Sequence, residues 1–352
     1  MIRKIDESFM RLALSLAKKR KGYTHPNPTV GAVVVKNGKI LGLGYHERAG
    51  MPHAEVVALN QAGKEAKGST LYVTLEPCTH YGRTPPCTNA IIESGVKRVV
   101  VATEDPNPVV SGKGIEKLKK AGIEVEVGIL REEAKEINED FFTYVSLKRP
   151  YITLKWAQTI DGKLATKSGK SKWITSYESR KVAHLLRREA TAVLVGVGTV
   201  MADDPELTVR YIPTEKQPVR VILDPELKIP KKAKVLNDGK AKTVIITKKK
   251  PEGNYGNAEV ITTENFSLEN ILNLLYQREI MHILVEGGAY TLSSFIKAGL
   301  YDRVCVFIAP KLMGEGKSIM DLGVESPDEL TRLKLKETKR IGEDVLLIFK
   351  RA

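Results

Sequence analysis

The sequence predicts an α/β protein of two domains. Three observations lead there. The chain has 352 residues, about twice the roughly 150 residues of an ordinary domain. Strand-period and helix-period segments alternate along both halves. The alternation breaks and restarts at Lys148-Arg149-Pro150. Because proline biases the residue before it away from helical geometry, the boundary falls there, giving domains 1–148 and 149–352. With 42% hydrophobic residues, each half can bury its own core.

In the first half, apolar residues at helical spacing predict a helix over 6–21. Strands 31–35 and 39–44 form a hairpin, since Asn37-Gly38 accepts the two positive φ angles of a type I′ turn. Period then gives a helix at 54–66, a strand at 70–75, a helix at 86–94, a strand at 98–103, a helix at 114–121, a strand at 124–129 and a helix at 132–147. The second half gives strands at 151–156, 192–197, 219–223, 243–247, 259–262, 282–285, 303–308 and 345–349. Its helices are expected at 177–189, 268–277 and 290–298. Residues 212–270 offer only strand and loop patterns.

A formal net charge of +14 raises the question of a nucleic-acid partner. Residues 1–150 carry 23 basic and 17 acidic side chains and the remainder 33 and 25, a division of +6 and +8. The densest clusters, Lys231, Lys232, Lys234 and Lys248, Lys249, Lys250, lie among Pro and Gly with no interleaved aromatics. They read as solvated loops, and no nucleic-acid partner is expected. The longest apolar stretch, 192–202, is about half of the roughly 20 residues that a membrane helix needs, so no membrane association is expected. Residues 1–22 are basic and contain Phe9, Met10, Leu12, Leu14 and Leu16. Arg11 interrupts that run and no small-residue cleavage site follows, so the segment reads as an amphipathic helix and not a leader. Three cysteines cannot make a disulfide framework, and the odd count suits a reducing compartment. The expected location is the cytoplasm.

Three elements of the first half converge on one chemistry: His53-Ala54-Glu55 opening a helix, Pro77-Cys78 ending a strand, and Pro86-Cys87 opening the next helix. One imidazole and two thiolates give zinc three protein ligands and leave a fourth position for water, as in a catalytic site. Zinc lowers the pKa of that water to about 7. Glu55, not needed as a ligand, is placed to take the proton and deliver it to a leaving amine, the division of labour of zinc-dependent nucleobase deaminases. A lone His-x-Glu occurs by chance and two cysteines can simply be buried; the joint order carries the reading. Eight residues separate Cys78 from Cys87 where the usual spacing is two. The insert must loop out at the pocket mouth with polar and cationic groups.

Thr24-His25-Pro26-Asn27-Pro28-Thr29-Val30-Gly31, His53-Ala54-Glu55 and the stretch Leu75-Glu76-Pro77-Cys78 through Thr84-Pro85-Pro86-Cys87 together resemble the bifunctional riboflavin-biosynthesis deaminase/reductase family. The resemblance implies a cytidine-deaminase-like α/β/α domain that deaminates 2,5-diamino-6-ribosylamino-4(3H)-pyrimidinone 5′-phosphate. It implies His53, Cys78 and Cys87 as zinc ligands, Glu55 as the proton carrier, and Asn27, His46, His80, Arg83 and Thr84 as substrate contacts. A phosphorylated substrate needs such cationic and hydrogen-bonding partners.

The second half lacks a Gly-x-Gly-x-x-Gly fingerprint: after Gly196-Val197-Gly198 the third glycine position is Met201, which excludes the ordinary Rossmann reading. Glycine-containing strand ends occur instead at 195–199 and 284–288, the second leading into a helix near Tyr290, where backbone amides can cradle a phosphate. Taken singly, these read as packing turns. With Leu154-Lys155-Trp156-Ala157 and the residues to Lys163, Ser171-Lys172-Trp173-Ile174-Thr175, Asp203-Asp204-Pro205 through Arg210, and Val285-Glu286-Gly287-Gly288, they resemble the second, dihydrofolate-reductase-like domain of the same family. That resemblance implies NADPH near Ala157, Trp173, Thr199, Asp203 and Gly288, Ala289, Tyr290, Thr291, Leu292, Ser293 and Ser294. It implies substrate near Ser171, Arg187, Leu207, Arg210 and Glu286. Arg187 and Arg210 suit a 5′-phosphate, because a guanidinium fork matches phosphate oxygens. Lys155 is a candidate to polarise the reacting centre or anchor the sugar, and Asp203 to orient substrate or relay a proton. In the bacterial form of the family deamination comes first. A homo-oligomer, dimer or tetramer, is expected.

Two rivals stand beside this reading. A tRNA or nucleoside deaminase fused to an unrelated reductase is disfavoured by the long Cys78–Cys87 insert. A zinc-stabilised RNA-binding protein would need a fourth ligand, for which only His46 or His80 is available.

Overall fold

The structure is a computed structural model and describes residues 2–82, 84–108, 110–319 and 322–352. Arg83, expected to contact substrate, lies outside the described residues. The chain divides into two compact units, Met1–Lys148 and Arg149–Ala352.

Unit one runs α1 (Ile2–Lys18), β1 (Gly31–Lys36), β2 (Lys39–Tyr45), α2 (Ala54–Ala62), β3 (Thr70–Val73), α3 (Cys87–Glu93), β4 (Arg98–Val101), α4 (Lys113–Lys120), β5 (Glu124–Val127), α5 (Arg131–Ile137) and α6 (Glu139–Leu147). Asn37 and Gly38 have φ of 51° and 76°, the two positive values that a type I′ turn requires. Five strands lie in the order β2-β1-β3-β4-β5. β1 is antiparallel to β2 and β3, whereas β3, β4 and β5 run parallel. The start of β1, the end of β2 and the C-terminal end of β3 therefore share one edge. Because side chains alternate across a strand, Val33, Val35, Tyr72 and Val100 meet Met10, Ala13 and Ala17 of α1 and Ala134 and Ile137 of α5 on one face. Ala32, Val34, Leu71 and Val99, also buried, turn to the other, where α2 and α3 pack.

The single helix expected over 132–147 is two, broken at Asn138 (φ −112°, ψ 24°). Its carboxamide accepts from Thr29 N at 2.7 Å and donates to Thr29 O at 2.9 Å. Both backbone groups of a buried residue leading into β1 are satisfied by that clip.

Unit two runs β6 (Tyr151–Thr159), β7 (Ala165–Thr166), α7 (Tyr177–Glu189), β8 (Ala192–Gly196), α8 (Val197–Asp203), β9 (Val219–Leu223), α9 (Lys234–Asn237), β10 (Thr243–Thr247), β11 (Ala258–Thr262), α10 (Leu268–Tyr276), β12 (His282–Val285), α11 (Ala289–Lys297), β13 (Arg303–Ala309), β14 (Gly316–Lys317), β15 (Leu333–Ile341) and β16 (Asp344–Arg351). Nine strands lie in the order β11-β10-β9-β8-β12-β6-β13-β16-β15, with β7 and β14 as a separate ribbon. The seven from β11 to β13 are parallel; β16 runs antiparallel to β13, and β15 antiparallel to β16. Their apolar runs are nearly continuous because both faces are covered. Ala192 and Leu194 enter one cluster with Ile152, Leu154 and Phe295, while Val193 and Val195 enter another with Ile222 and Leu236. The parallel strands deliver their C-terminal ends to a common edge, where ligands bind in open α/β sheets.

Four features escape the sequence reading. The apolar run 192–202 turns at Gly196 from β8 directly into α8. The short helix α9 and the β7–β14 ribbon carry too few residues for a period. β15 is exposed along almost its whole length, so it has no apolar alternation to announce it. Among the described residues no helix is long and apolar enough to cross a membrane.

Candidate active sites

In unit one the shared strand edge gathers the start of β1, the end of β2, and the N-termini of α2 and α3. His53 is the residue that caps α2, Cys87 is the first residue of α3, and Cys78 lies in the segment after β3. Their ligand atoms all lie within 4.8 Å of one another. His53 Nδ1 is 3.1 Å from Cys87 Sγ and 3.7 Å from Cys78 Sγ. Ligands held about 2.0–2.3 Å from a tetrahedral zinc are separated by about 3.3–3.8 Å; the 3.7 Å separation falls in that range and the 3.1 Å one just under it, so the triad can take that ion with His53 ligating through Nδ1. Cys87 holds the Cys78 thiol well below the usual thiol range, and Cys78 together with burial pushes Cys87 up.

Thr84, expected to touch substrate, has its hydroxyl 3.2 Å from His53 Nε2. With Nδ1 turned to the sulfurs, Nε2 is the donor, and Thr84 fixes the ring. Glu55 sits in the first turn of α2, 3% exposed. Burial pushes its carboxyl up to about 7, against the pull of His53. His46 is buried; its Nδ1 donates to Pro52 O at 3.2 Å, so its Nε2 accepts from the Asn27 amide at 3.0 Å. Burial holds it below the ordinary imidazole range. Both nitrogens are thereby used, which removes His46 as a fourth metal ligand. His80 is exposed in the insert.

The sequence reading passed over Glu76. Its buried carboxylate accepts from the backbone N–H groups of Asp105, Gly112, Gly114 and Ile115 at 2.9–3.2 Å. It thus fixes the loop into α4 against the segment carrying Cys78. Four chain amides on one buried Glu are invisible to any local pattern.

In unit two a cleft of about 1380 Å³ opens at the C-terminal strand ends. Lys155 and Ala157 on β6, Ser171 and Trp173 before α7, Arg187 on α7, Thr199 and Asp203 on α8, Leu207, Arg210 and Glu286 all line it. So do Gly288, Ala289, Tyr290, Thr291 and Ser294; Leu292 and Ser293 are buried behind it. Gly198 and Gly288 present bare backbone there, and a Cβ at Gly198 would meet nothing within 4 Å. This open floor between the β8 and β12 ends fits an extended dinucleotide.

Arg187, expected near the substrate's 5′-phosphate, is paired within the protein. Its guanidinium makes a two-pronged contact with Glu286 at 2.7 and 2.8 Å and donates to Thr208 O at 2.9 Å. Lys155 Nζ lies 3.8 Å from the same carboxylate. These cations overcome burial and hold Glu286 at about 2. Residues 212–270, unassigned from sequence, supply the far wall with Leu223, Pro225, Phe266 and Leu268. Pro225 lies just past the C-terminal end of β9, a position that the strand-end rule could have flagged.

The RibD C-terminal domain matches residues 150–347, and the cytidine and deoxycytidylate deaminase zinc-binding region matches residues 3–103. Riboflavin biosynthesis protein RibD of Aquifex aeolicus is 68% identical over 100% of both chains. The chain belongs to the RibD family. The RibD of Escherichia coli is 41% identical, covering 97% of this chain and 98% of its own. A solved deaminase/reductase of this family from Thermotoga maritima superposes with a TM-score of 0.94 at 42% identity, covering 100% of both chains. Acinetobacter baumannii RibD gives 0.92 at 40%, covering 99% of both. As a RibD, the chain is a bifunctional enzyme of riboflavin biosynthesis, a zinc-binding deaminase joined to a reductase that uses NADPH. A deaminase fused to an unrelated reductase is not favoured, because RibD relatives match both halves as one chain.

Proposed function

We propose that residues 1–148 deaminate 2,5-diamino-6-ribosylamino-4(3H)-pyrimidinone 5′-phosphate and that residues 149–352 then reduce the ribosyl group of the product to ribityl. The observation that carries this reading is a three-donor His53–Cys78–Cys87 triad with the buried Glu55 two residues from His53, in one chain with a glycine-floored cleft.

His53, Cys78 and Cys87 hold zinc, which when bound makes water acidic enough to attack at neutral pH. Glu55 takes the proton of the attacking water and returns it to the departing amine, so that water adds at the ring carbon and ammonia leaves. Asn27 is held by His46 with its carboxamide oxygen left to receive a hydrogen bond from the pyrimidine. His80 and Arg83 in the insert complete the substrate contacts.

In the second unit Ala157, Trp173, Thr199, Asp203 and the start of α11 would hold NADPH, which when bound would provide the hydride. Ser171, Leu207, Arg210 and the Arg187–Glu286–Lys155 group position the opened sugar so that hydride reaches C1′ and a proton reaches the attached nitrogen. Asp203 is the candidate proton relay. Substrate and cofactor are small anions, and the dispersed charge supports these partners over nucleic acid. Three free cysteines support a cytoplasmic site of action, and the active form is expected to be a homo-oligomer.

Incubating the diaminopyrimidinone phosphate with the enzyme, with and without NADPH, and scoring by mass tests the reading. Exchange of the amine for oxygen adds about 1 Da, and hydride plus proton adds about 2 Da only when NADPH is present. Reduction of the unreacted diamine before any ammonia release would reverse the proposed order.

A further inference from the structure

We infer that Arg180, acting with Arg210 across the Tyr211 ring, reads the 5′-phosphate of the reductase substrate. The inference deepens the reductase reading above and rests on it.

Most cations lining the cleft are already matched. Arg187 and Lys155 face Glu286, Lys172 lies 3.8 Å from Asp203, and Lys234 lies 3.5 Å from Asp204. Arg180, in the first turns of α7, is different. Its guanidinium carbon lies 4.2 Å from the Trp173 ring centroid, 5.6 Å from that of Tyr177 and 5.9 Å from that of Tyr211. Its Nε is buried with no hydrogen-bond partner, and among the described residues no carboxylate pairs with it.

Rings cover the face of a stacked guanidinium and leave its N–H edge to seek acceptors. Among the described residues Nε finds none, and Arg180 lines the cleft. Arg210 lies 5.1 Å from the same Tyr211 ring; the nearby Glu206 carboxylate, which Arg210 helps to hold below its usual range, is engaged by Lys240 at 2.8 Å. Two like charges held about one ring, with no carboxylate in a close ion pair with either among the described residues, favour a ligand bearing several anionic oxygens. A phosphate has them. α7 also carries Arg187, which the proposed function sets beside the sugar together with Glu286, and the inference therefore gives Arg180 to the substrate and leaves the bare backbone of Gly198 and Gly288 to the cofactor.

The test measures NADPH oxidation with 5-amino-6-(5-phosphoribosylamino)uracil and with the same compound lacking its phosphate. Arg180→Met, which keeps the apolar stem, is expected to raise KM for the phosphorylated substrate about 10- to 100-fold and to leave KM for NADPH and for the dephosphorylated compound within about twofold. Arg180→Lys keeps the charge without the fork and should recover part of the loss; it also decides the matter if Arg180→Met does not fold. A rise in KM for NADPH alone would assign Arg180 to the cofactor's phosphates and overturn the inference. Equal effects on both substrates, or none on either, would leave Arg180 a packing partner of Trp173 and overturn it too. Absence of NADPH oxidation by the unaltered chain would instead sink the reductase reading itself.

Discussion

Glu286 shows what one buried carboxylate does in this fold. Taken out of water it would resist ionisation, yet the Arg187 fork and Lys155 hold it charged, with its pKa lowered to about 2. A depressed carboxylate contributes stability above its unfolded pKa, near 4.5, and loses that contribution as pH falls toward 2, an amount on the order of 3 kcal/mol. Glu286→Gln leaves Arg187 buried without its counter-charge and should cost about 3–5 kcal/mol at neutral pH. Both tryptophans, Trp156 and Trp173, lie in unit two, so their emission during urea unfolding follows that unit within the whole chain. The wild-type midpoint should fall steeply between about pH 4.5 and 2 and the variant's should lack that component; parallel profiles would contradict the pairing. The cluster of His53, Cys78 and Cys87 with Glu55 beside it was legible in the sequence because zinc chemistry calls for those residue types at element ends. The Arg187–Glu286 pair was not, since 99 residues separate the partners. Nor was Arg180, which on a helix pattern looks like any solvated charge.

At the scale of elements, the position of α2 sets the deaminase site, and two glycines set α2. A Cβ at Gly44 would lie 2.0 Å from Ala54 O and 2.7 Å from Ala58 N, and one at Gly42 would lie 2.0 Å from Ala58 O. Contacts that short against helix backbone cannot be relieved by a side-chain rotation, so β2 and α2 approach this closely only over bare glycine. Gly44→Ala should push back the start of α2, which carries His53 and Glu55, and weaken zinc binding at least about tenfold, read by competition with a chromophoric chelator. Gly38→Ala is the contrast: its φ is +76° with nothing within 4 Å of the added carbon. It should cost about 1–2 kcal/mol of hairpin strain and leave zinc affinity unchanged. Equal zinc affinity in the two variants would argue against this placement of α2. Hydrophobic period located the hairpin, α7 and the central parallel strands because each has a buried face to advertise. It missed the break at Asn138, where apolar spacing continues while a side-chain clip to Thr29 interrupts the helix, and it missed β15, an edge strand with almost no buried face.

For the whole molecule, the +14 charge is spread over two units that each handle phosphorylated ligands, and a positive field of that kind raises the capture rate of small anions. Length and the break near Pro150 announced two units, and the positive excess divides between residues 1–150 and the remainder as +6 and +8. Each unit builds its own core and lines its own site from its own strand ends, so the two activities should separate cleanly by mutation. Glu55→Gln keeps the three zinc donors and should retain the metal while ammonia release falls about 10²-fold or more. The same variant should reduce already deaminated substrate with NADPH at the wild-type rate. Arg210→Ala removes a guanidinium from the reductase cleft and should raise its substrate KM about 10-fold or more while ammonia release is unchanged. Ammonia and NADPH, each followed in its own assay on the full chain, read the two steps independently. A fall of both activities in either variant would mean that the units, though separately folded around their own cores, work as one coupled machine.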